Sequence, residues 1–359
     1  MISLCMIVRD EELALPRCLD SVEGIFDEII IVDTGSADKT REIAEKRVGK
    51  VYDFKWIDDF SAARNYAFSL AKGDWLMWLD ADDVIEGENR KLLKEQIASL
   101  DFEQPDVVML PYNVGFDECG RVTLSYERER IFRAAAGLRF EGAIHEAVAP
   151  RGKVVHGQAA VSHRKLRPNP IGRNLKILEK LAKNGLDQRM RYYYARELAE
   201  AGRLEEAAES FRLCAEDESA WRENRLSAQK ELSDCLLALG RREESDIALF
   251  KALMLGAPRA DLCCEIGRRF LEKGELYGAK FWYELAPRQY AENKGGFVHS
   301  DCGGYLPYMQ LCVIYDRLGE HSSAELYNEL AGKIKPESEA YLKNREYFAA
   351  LRSGSPERK

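Results

Sequence analysis

Gly73-Asp74-Trp75-Leu76-Met77-Trp78-Leu79-Asp80-Ala81-Asp82-Asp83 decides how the first half of this chain reads. Its apolar run, Trp75 to Leu79, is long enough for a buried strand and too short to cross a membrane. The run ends in three carboxylates, Asp80, Asp82 and Asp83. In an open α/β sheet, ligands bind beyond the carboxyl ends of the strands. Carboxylates crowded there repel one another, which raises their proton affinity unless a cation lies between them. Mg2+ or Mn2+ suits the place, because hard ions take one or two carboxylates and complete their shell with water and substrate phosphate. A calcium loop fits less well: counting from Asp80, its sixth position needs Gly and holds Ile85, and its twelfth needs Glu and holds Lys91. A solvated acidic turn is the plain alternative, so the preceding sequence has to decide.

Towards the N-terminus, Ile2-Ser3-Leu4-Cys5-Met6-Ile7-Val8 is a continuous apolar run of the kind that forms a strand buried on both faces. Arg9-Asp10-Glu11-Glu12 follows, and Leu15, Cys18, Leu19 and Val22 then recur at helical spacing. The β-branched run Glu28-Ile29-Ile30-Ile31-Val32 ends in Asp33-Thr34-Gly35-Ser36, with Ser36 or Asp38 placed to cap the next helix. A short strand from Lys50 to Phe54 precedes a helix opened by Ser61 and stopped by Gly73. Strands and helices alternate up to the acids, a parallel, doubly wound pattern. Two strands in this scheme end in Asp, at Asp33 and Asp80, and their tips face one crevice. No Gly-x-Gly-x-x-Gly and no P-loop occurs. What remains is a nucleotide whose phosphates are held by a metal.

The motifs Val8-Arg9-Asp10-Glu11-Glu12, Ile31 to Thr40, Ala63-Arg64-Asn65 and Leu79-Asp80-Ala81-Asp82-Asp83 stand in an order that resembles family 2 glycosyltransferases of the GT-A fold. The resemblance covers residues 1–168. It implies a Rossmann-like nucleotide-sugar-binding sheet, with Ile7, Arg9, Glu11, Asp33, Arg64, Asp80 and Ala81 in contact with the donor. Asp33 would meet the uracil or equivalent base, Arg64 would help hold the nucleotide, and Asp80 would lie near the ribose. Asp82 would coordinate Mn2+ or Mg2+ on the diphosphate, and a late His, here His163, would reach back to that metal or diphosphate. Asp10 stands where the family often has Asn, and either side chain can fix a turn.

Beyond the acids, Asp106 to Tyr112 reads as a strand whose end Pro111 puts at an edge. Arg128–Arg133 and Leu138–Glu146 read as a hairpin and loop. His145-Glu146 is not a zinc-protease motif, because the second His would fall on Ala149. A transferase that inverts the sugar centre needs a group to take the acceptor proton as the bond forms. In the family an acidic residue several dozen positions after the metal strand does this; Glu146 fits, with His145 on substrate or phosphate, and Asp117 is a weaker alternative. Arg164, Lys165, Arg167 and Arg173 are placed to offset phosphate charge, though basic runs are commonly just solvated.

Pro168 and Pro170 mark a boundary. A linker helix with Leu175, Leu178 and Leu181 spans 169–187, and helical repeats occupy 188–350. Gly202, Gly240, Gly274 and Gly319 recur at spacings of 38, 34 and 45 residues, each followed by a small residue and two of them, Gly202 and Gly274, by an aromatic. Tetratricopeptide units repeat every 34 residues or so and stack into a curved array with a concave face. This half therefore resembles a short tetratricopeptide array, with Tyr193, Phe211, Tyr283 and Tyr315 as packing residues. The glycine-broken stretch 292–305 reads as an inter-repeat loop and 351–359 as a disordered tail.

With 359 residues and 46% hydrophobic content, the chain can build two cores. A net charge of −8 argues against general binding to nucleic acid or anionic membrane. No membrane span or cleavable leader is evident at Met1-Ile2-Ser3-Leu4, and nine scattered cysteines without Cys-x-x-Cys pairs fit reduced thiols in the cytoplasm. The resemblance implies a metal-dependent inverting hexosyltransferase using a nucleotide sugar, most simply UDP-linked, on a peptide, protein or cell-surface glycan. The repeats would contact the acceptor or form a homo-oligomer. A repeat-based interaction module with a silent nucleotide-binding domain is the competing class. A nucleotidyltransferase is a third, and lacks its glycine-rich phosphate loop here.

Overall fold

The computed structural model describes residues 1–167, 172–292 and 298–353. The chain divides into two compact units, Met1–Arg203 and Leu204–Lys359.

The first unit opens with β1 (Ile2–Val8), α1 (Leu15–Ser21), β2 (Glu28–Asp33), α2 (Thr40–Val48), β3 (Val51–Asp53), α3 (Phe60–Leu70) and β4 (Trp75–Trp78). It continues with β5 (Asp83–Val84), α4 (Asn89–Glu103), β6 (Val107–Phe116), β7 (Val122–Arg133), β8 (Val154–His156), β9 (Val161–His163), α5 (Arg173–Ala182) and α6 (Gln188–Glu200). The strand order is β3-β2-β1-β4-β7-β6-β9-β5, with β8 beside β6. The first four strands run parallel, as the alternation of strands and helices requires. Then β7 pairs antiparallel with β4, and the sheet becomes mixed. The parallel pattern expected for the strands up to the acids therefore holds through β4, and the sheet is mixed beyond it.

Both faces of the parallel strands are covered, which is why they read as unbroken apolar runs. Leu4, Met6 and Met77 pack with Leu15, Leu19 and Leu93 from α1 and α4 on one face. Cys5, Leu76 and Trp78 pack with Phe68 of α3 and with Phe132 and Phe140 on the other. The partner of Arg128–Arg133 is β6, so the hairpin is β6–β7, and Leu138–Glu146 holds no strand beyond the single bridge Glu141–Ala147. Pro111 does not end an edge strand. It lies inside β6, where β8 pairs with 107–109 and β9 with 112–113, so no neighbour asks for its missing N–H on that side.

In the second unit, α7 (Leu204–Glu216) leads to α8 (Arg222–Ala238), α9 (Arg242–Lys251), α10 (Ala260–Glu272), α11 (Leu276–Glu292), α12 (Tyr305–Arg317), α13 (His321–Ile334) and α14 (Glu339–Ser353). The recurring glycines have one job. Gly240, Gly274 and Gly319 follow the first helix of each pair, and Gly202 follows α6, all with φ between +76° and +78°. The residue after each donates its N–H back to a carbonyl five residues earlier, for example Arg241 to Leu236 and Glu275 to Phe270. This left-handed helix stop favours Gly, so its spacing marks the tetratricopeptide-like helix pairs. The boundary prolines Pro168 and Pro170, the middle of the 292–305 loop and residues 354–359 of the expected tail lie outside the described residues. Among the described residues no helix is long and apolar enough to cross a membrane.

Candidate active site

The parallel strands bring two loops together at their carboxyl ends. Val8 pairs with Asp33, so the Arg9–Glu12 turn lies against the Asp33–Asp38 turn. Asp10, at φ +55°, accepts the Ala37 N–H at 2.7 Å and donates its own N–H to the Ser36 hydroxyl at 3.1 Å. Asp33 is buried, and its Oδ1 accepts the N–H groups of Gly35 and Ser36, both at 2.7 Å. No hydrogen bond to its second oxygen is found among the described residues. Ser36 is thus spent on the Asp10 clasp, and Asp38 accepts the Thr40 N–H at the start of α2. Ile7 is half-buried beside Val32, and Arg9 is exposed with Asp10 3.9 Å away.

On α3 the cap is Asp59, which accepts the Ala62 N–H, and not Ser61. That one-turn geometry aims Arg64 inward, where it is 6% exposed. Its Nε donates to Glu146 and its Nη2 to Asp80, each at 2.6 Å, while the guanidinium lies 4.3 Å over the Trp78 ring. One arginine thus ties the acid that ends β4 to the carboxylate of a loop eighty-two residues further on. Asn65 fixes the same loop by exchanging two 2.9 Å hydrogen bonds with the Phe140 backbone.

The three acids are sorted by their partners. Asp83 is fully buried, accepting from Arg130 (3.0 Å), the Tyr112 hydroxyl (3.0 Å) and the Asp80 N–H (3.0 Å). Asp80 takes Arg64; partial burial works against its charge, but the Arg64 and Arg130 guanidiniums hold its carboxyl down to about 2. Asp82 has no arginine. Burial and the adjacent Asp80 push its carboxyl up to about 6, opposed by His163. Burial disfavours the charged form of His163, yet the Asp83 hydrogen bond and the Asp82 charge leave its proton affinity raised. Its Nδ1 lies 3.4 Å from Asp82 and 3.2 Å from Asp83, because β5 and β9 pair Asp83 with His163. One ligand atom from each of Asp82, Asp83 and His163 falls within 4.8 Å of the others, a mixed oxygen and nitrogen set that fits a hard divalent ion. Glu11 lies in the same field, its carboxyl pushed up to about 7 by burial, Asp82 and Asp80. Ala81 is buried between the acids.

Glu146 is 8% exposed, and its Oε1 takes the Arg64 bond. His145 adopts φ +50°, its ring stacked 3.9 Å from Tyr193 with Nε2 3.6 Å from Glu197. Tyr193, expected as a packing residue, packs against the small core of Ile144 and Leu178 and also stacks on that histidine. Asp117 closes the β6–β7 turn by accepting from Cys119, Arg121 and the Arg121 side chain, which removes it from the cluster. Of the basic run, Arg164 pairs with Glu86 and lies over Phe116. Sequence reasoning missed Arg128, Arg130 and Tyr112. Arg128 and Arg130 both stack over Trp78, at 5.1 and 3.9 Å. Their two-residue spacing on a strand was the available signal.

Residues 3–151 match the family model described as glycosyl transferase family 2. A TPR repeat-containing protein of Synechococcus elongatus is 38% identical over 192 residues, 53% of this chain and 46% of its own. The SPbeta prophage-derived glycosyltransferase SunS of Bacillus subtilis is 33% identical over 144 residues, 39% of this chain and 33% of its own. The matched segments thus span less than half the length of these curated relatives. Among solved structures, S. aureus TarS 1-349 aligns over 94% of this chain and 92% of its own, at 13% identity and a TM-score of 0.35. That likeness is too loose to carry weight, and the fold rests on the strand order and helix pairs above.

Proposed function

Because residues 3–151 form a glycosyl transferase family 2 domain, we propose that the chain is a metal-dependent, inverting hexosyltransferase acting from a UDP-linked sugar. The observation that carries this is the sorting of the acids: Asp80 and Asp83 have arginines of their own, whereas the side chain of Asp82 meets His163 and no arginine among the described residues. Asp82 and His163 would hold Mn2+ or Mg2+, whose charge neutralises the departing diphosphate. Asp33 offers its unused oxygen to the base, between Ile7 and the Arg9–Glu11 turn. Arg64 keeps Asp80 ionised and oriented for the ribose, with Ala81 at its side. Glu146 has one oxygen on Arg64 and the other free to take the acceptor's proton as the new bond forms on the far side of the sugar carbon. His145, fixed by Tyr193 and Glu197, orients the acceptor.

A peptide, protein or glycan could serve as acceptor, presented by the helical array or by a second copy joined through it. None of the nine cysteines forms a disulfide, which suits the reducing cytoplasm. The test uses the full chain with UDP-glucose and UDP-N-acetylglucosamine. Release of UDP should depend on added Mn2+ or Mg2+ and stop with chelator, and product NMR should find the anomeric configuration inverted. Equal turnover in chelator, or a retained configuration, would defeat the reading.

A further inference from the structure

Within the first unit, the turn ahead of α3 and one side of α5 flank an open cavity of about 700 Å³. Trp56, Asp58, Arg173, Lys176, Lys180 and Lys183 line it. Lys180 is paired with Asp58, but Arg173, Lys176 and Lys183 make no ion pair with any described residue. Four basic side chains stand there against two carboxylates, Asp58 and Glu179, the latter also paired with Arg203, so the lining is net positive in a chain whose net charge is negative. The aromatic wall is held in place. Trp56 packs edge-on against Phe60 at 4.7 Å, and its Nε1 donates to Asp58 at 3.0 Å. Asp58 keeps that position with φ +61°, a conformation that an aspartate adopts at some cost.

This cavity adjoins the strand-tip cluster. Trp56 and Ile177 belong to the same small core as Ala143 and Ile144, which directly precede His145 and Glu146. Burial and the Arg9 charge lower the proton affinity of Arg173, while Glu197, Glu11 and Glu146 are near enough to oppose them. The helix itself lies beyond residues 3–151, so the family match says nothing of it. A volume of several hundred Å³, one fixed aromatic face and a few convergent charges are the usual make-up of a small-ligand site. A sugar ring offers an apolar face to an aromatic one, and unpaired lysines and arginines at the rim take phosphate or carboxylate. An acidic peptide would satisfy the cations but leave Trp56 without a flat partner.

We propose that this cavity is the acceptor subsite and takes a saccharide bearing an anionic group, its ring on Trp56 and its phosphate or carboxylate among Arg173, Lys176 and Lys183. The word acceptor rests on the transferase reading above; the binding does not.

The experiment follows the tryptophan indole signals of the full chain by NMR, with the Trp56 signal identified by Trp56→Phe. Glucose 6-phosphate, glucuronate, glucose and an oligoglutamate peptide are titrated separately, and UDP with Mn2+ is added in a parallel thermal-shift series. One or both anionic sugars should shift Trp56, showing whether phosphate or carboxylate is preferred, and glucose at the same concentration should not. Lys176→Gln with Lys183→Gln should weaken that binding on the order of fivefold, as loss of two exposed charge contacts implies, without altering the UDP–Mn2+ shift. Added salt should weaken it in the unmodified chain. Equal binding of glucose, binding of oligoglutamate alone, or unchanged affinity in the double variant would overturn the proposal. Failure of UDP–Mn2+ to bind, with anionic sugar still shifting Trp56, would sink the transferase reading and leave the saccharide site standing.

Discussion

Arg130→Met tests the scaffold under the acids. Arg130 and Asp83 are both 0% exposed, with Nη1 and Oδ2 3.0 Å apart. At an effective dielectric of 20 that separation is worth about 5.5 kcal/mol of attraction, offset by the cost of taking both ions out of water. Removing one partner keeps the cost and forfeits the attraction, so the variant should lose about 3–5 kcal/mol. Methionine fills much of the arginine's volume against Trp78 and Tyr112, so the loss reports charge and not a cavity. For a unit of this size that is a melting point lower by roughly 6–20 °C. Asp83→Asn should cost a similar amount, because Arg130 is then left buried without its counter-ion.

The two changes together bury no charge at the pair, and their combined cost should fall well below the sum. Urea titration followed by tryptophan fluorescence measures all three, since Trp56, Trp75 and Trp78 lie in the first unit. A coupling energy within about 0.5 kcal/mol of zero would mean that the pair does not act as a unit. A cost under 1 kcal/mol for Arg130→Met would refute the burial argument itself.

The same cluster makes a prediction about pH. With metal chelated, the folded state holds the Asp82 carboxyl near 6 against its ordinary 3.8, so it binds the extra proton, and stability falls as pH rises between those values. At neutral pH in chelator, Asp82→Asn should therefore melt higher than the parent, by the equivalent of roughly 1–3 kcal/mol, yet gain nothing from Mn2+; a lower melting point or an intact Mn2+ shift would contradict it. Glu146→Gln, which can still accept from Arg64, should lower kcat by about 10²–10⁴ while UDP-sugar binding stays as it was. Titration calorimetry and single-turnover kinetics separate the two quantities, and an unchanged kcat would remove Glu146 from the role.

How much of this could be read from sequence depended on the range of the interactions. The strand ending at Asp80 and the β2 tip at Asp33 were legible, because a doubly buried strand must be apolar and a ligand-bearing tip must be polar. The repeat glycines were legible because each helix stop is a local event. Capping was misjudged by two residues at α3, since Asp59 and Ser61 are both good caps and only the backbone angle at Asp59, φ −141°, selects it. The antiparallel return of β7 left no local mark. Arg128-Glu129-Arg130 looks like a solvated strand until Trp78 and Asp83 are placed beside it.

That last point explains which of the three acids is left for an ion, something no spacing rule can supply. Three carboxylates within four residues cannot all stay ionised in a half-buried turn without separate compensation. Asp83 is answered by Arg130 and Tyr112 from β7 and β6, and Asp80 by Arg64 from α3. Each answer arrives from an element distant in the chain, so the motif alone makes the three look equivalent. Asp82 is what remains, with His163 as its basic partner among the described residues, and Glu11 adds a further carboxylate to the same field. The surplus of negative charge is therefore local to Asp82. Under the proposed transferase reading, a divalent ion held by Asp82 would relieve that surplus and supply positive charge for a departing diphosphate, whereas an ion at Asp83 would first have to break a buried salt bridge.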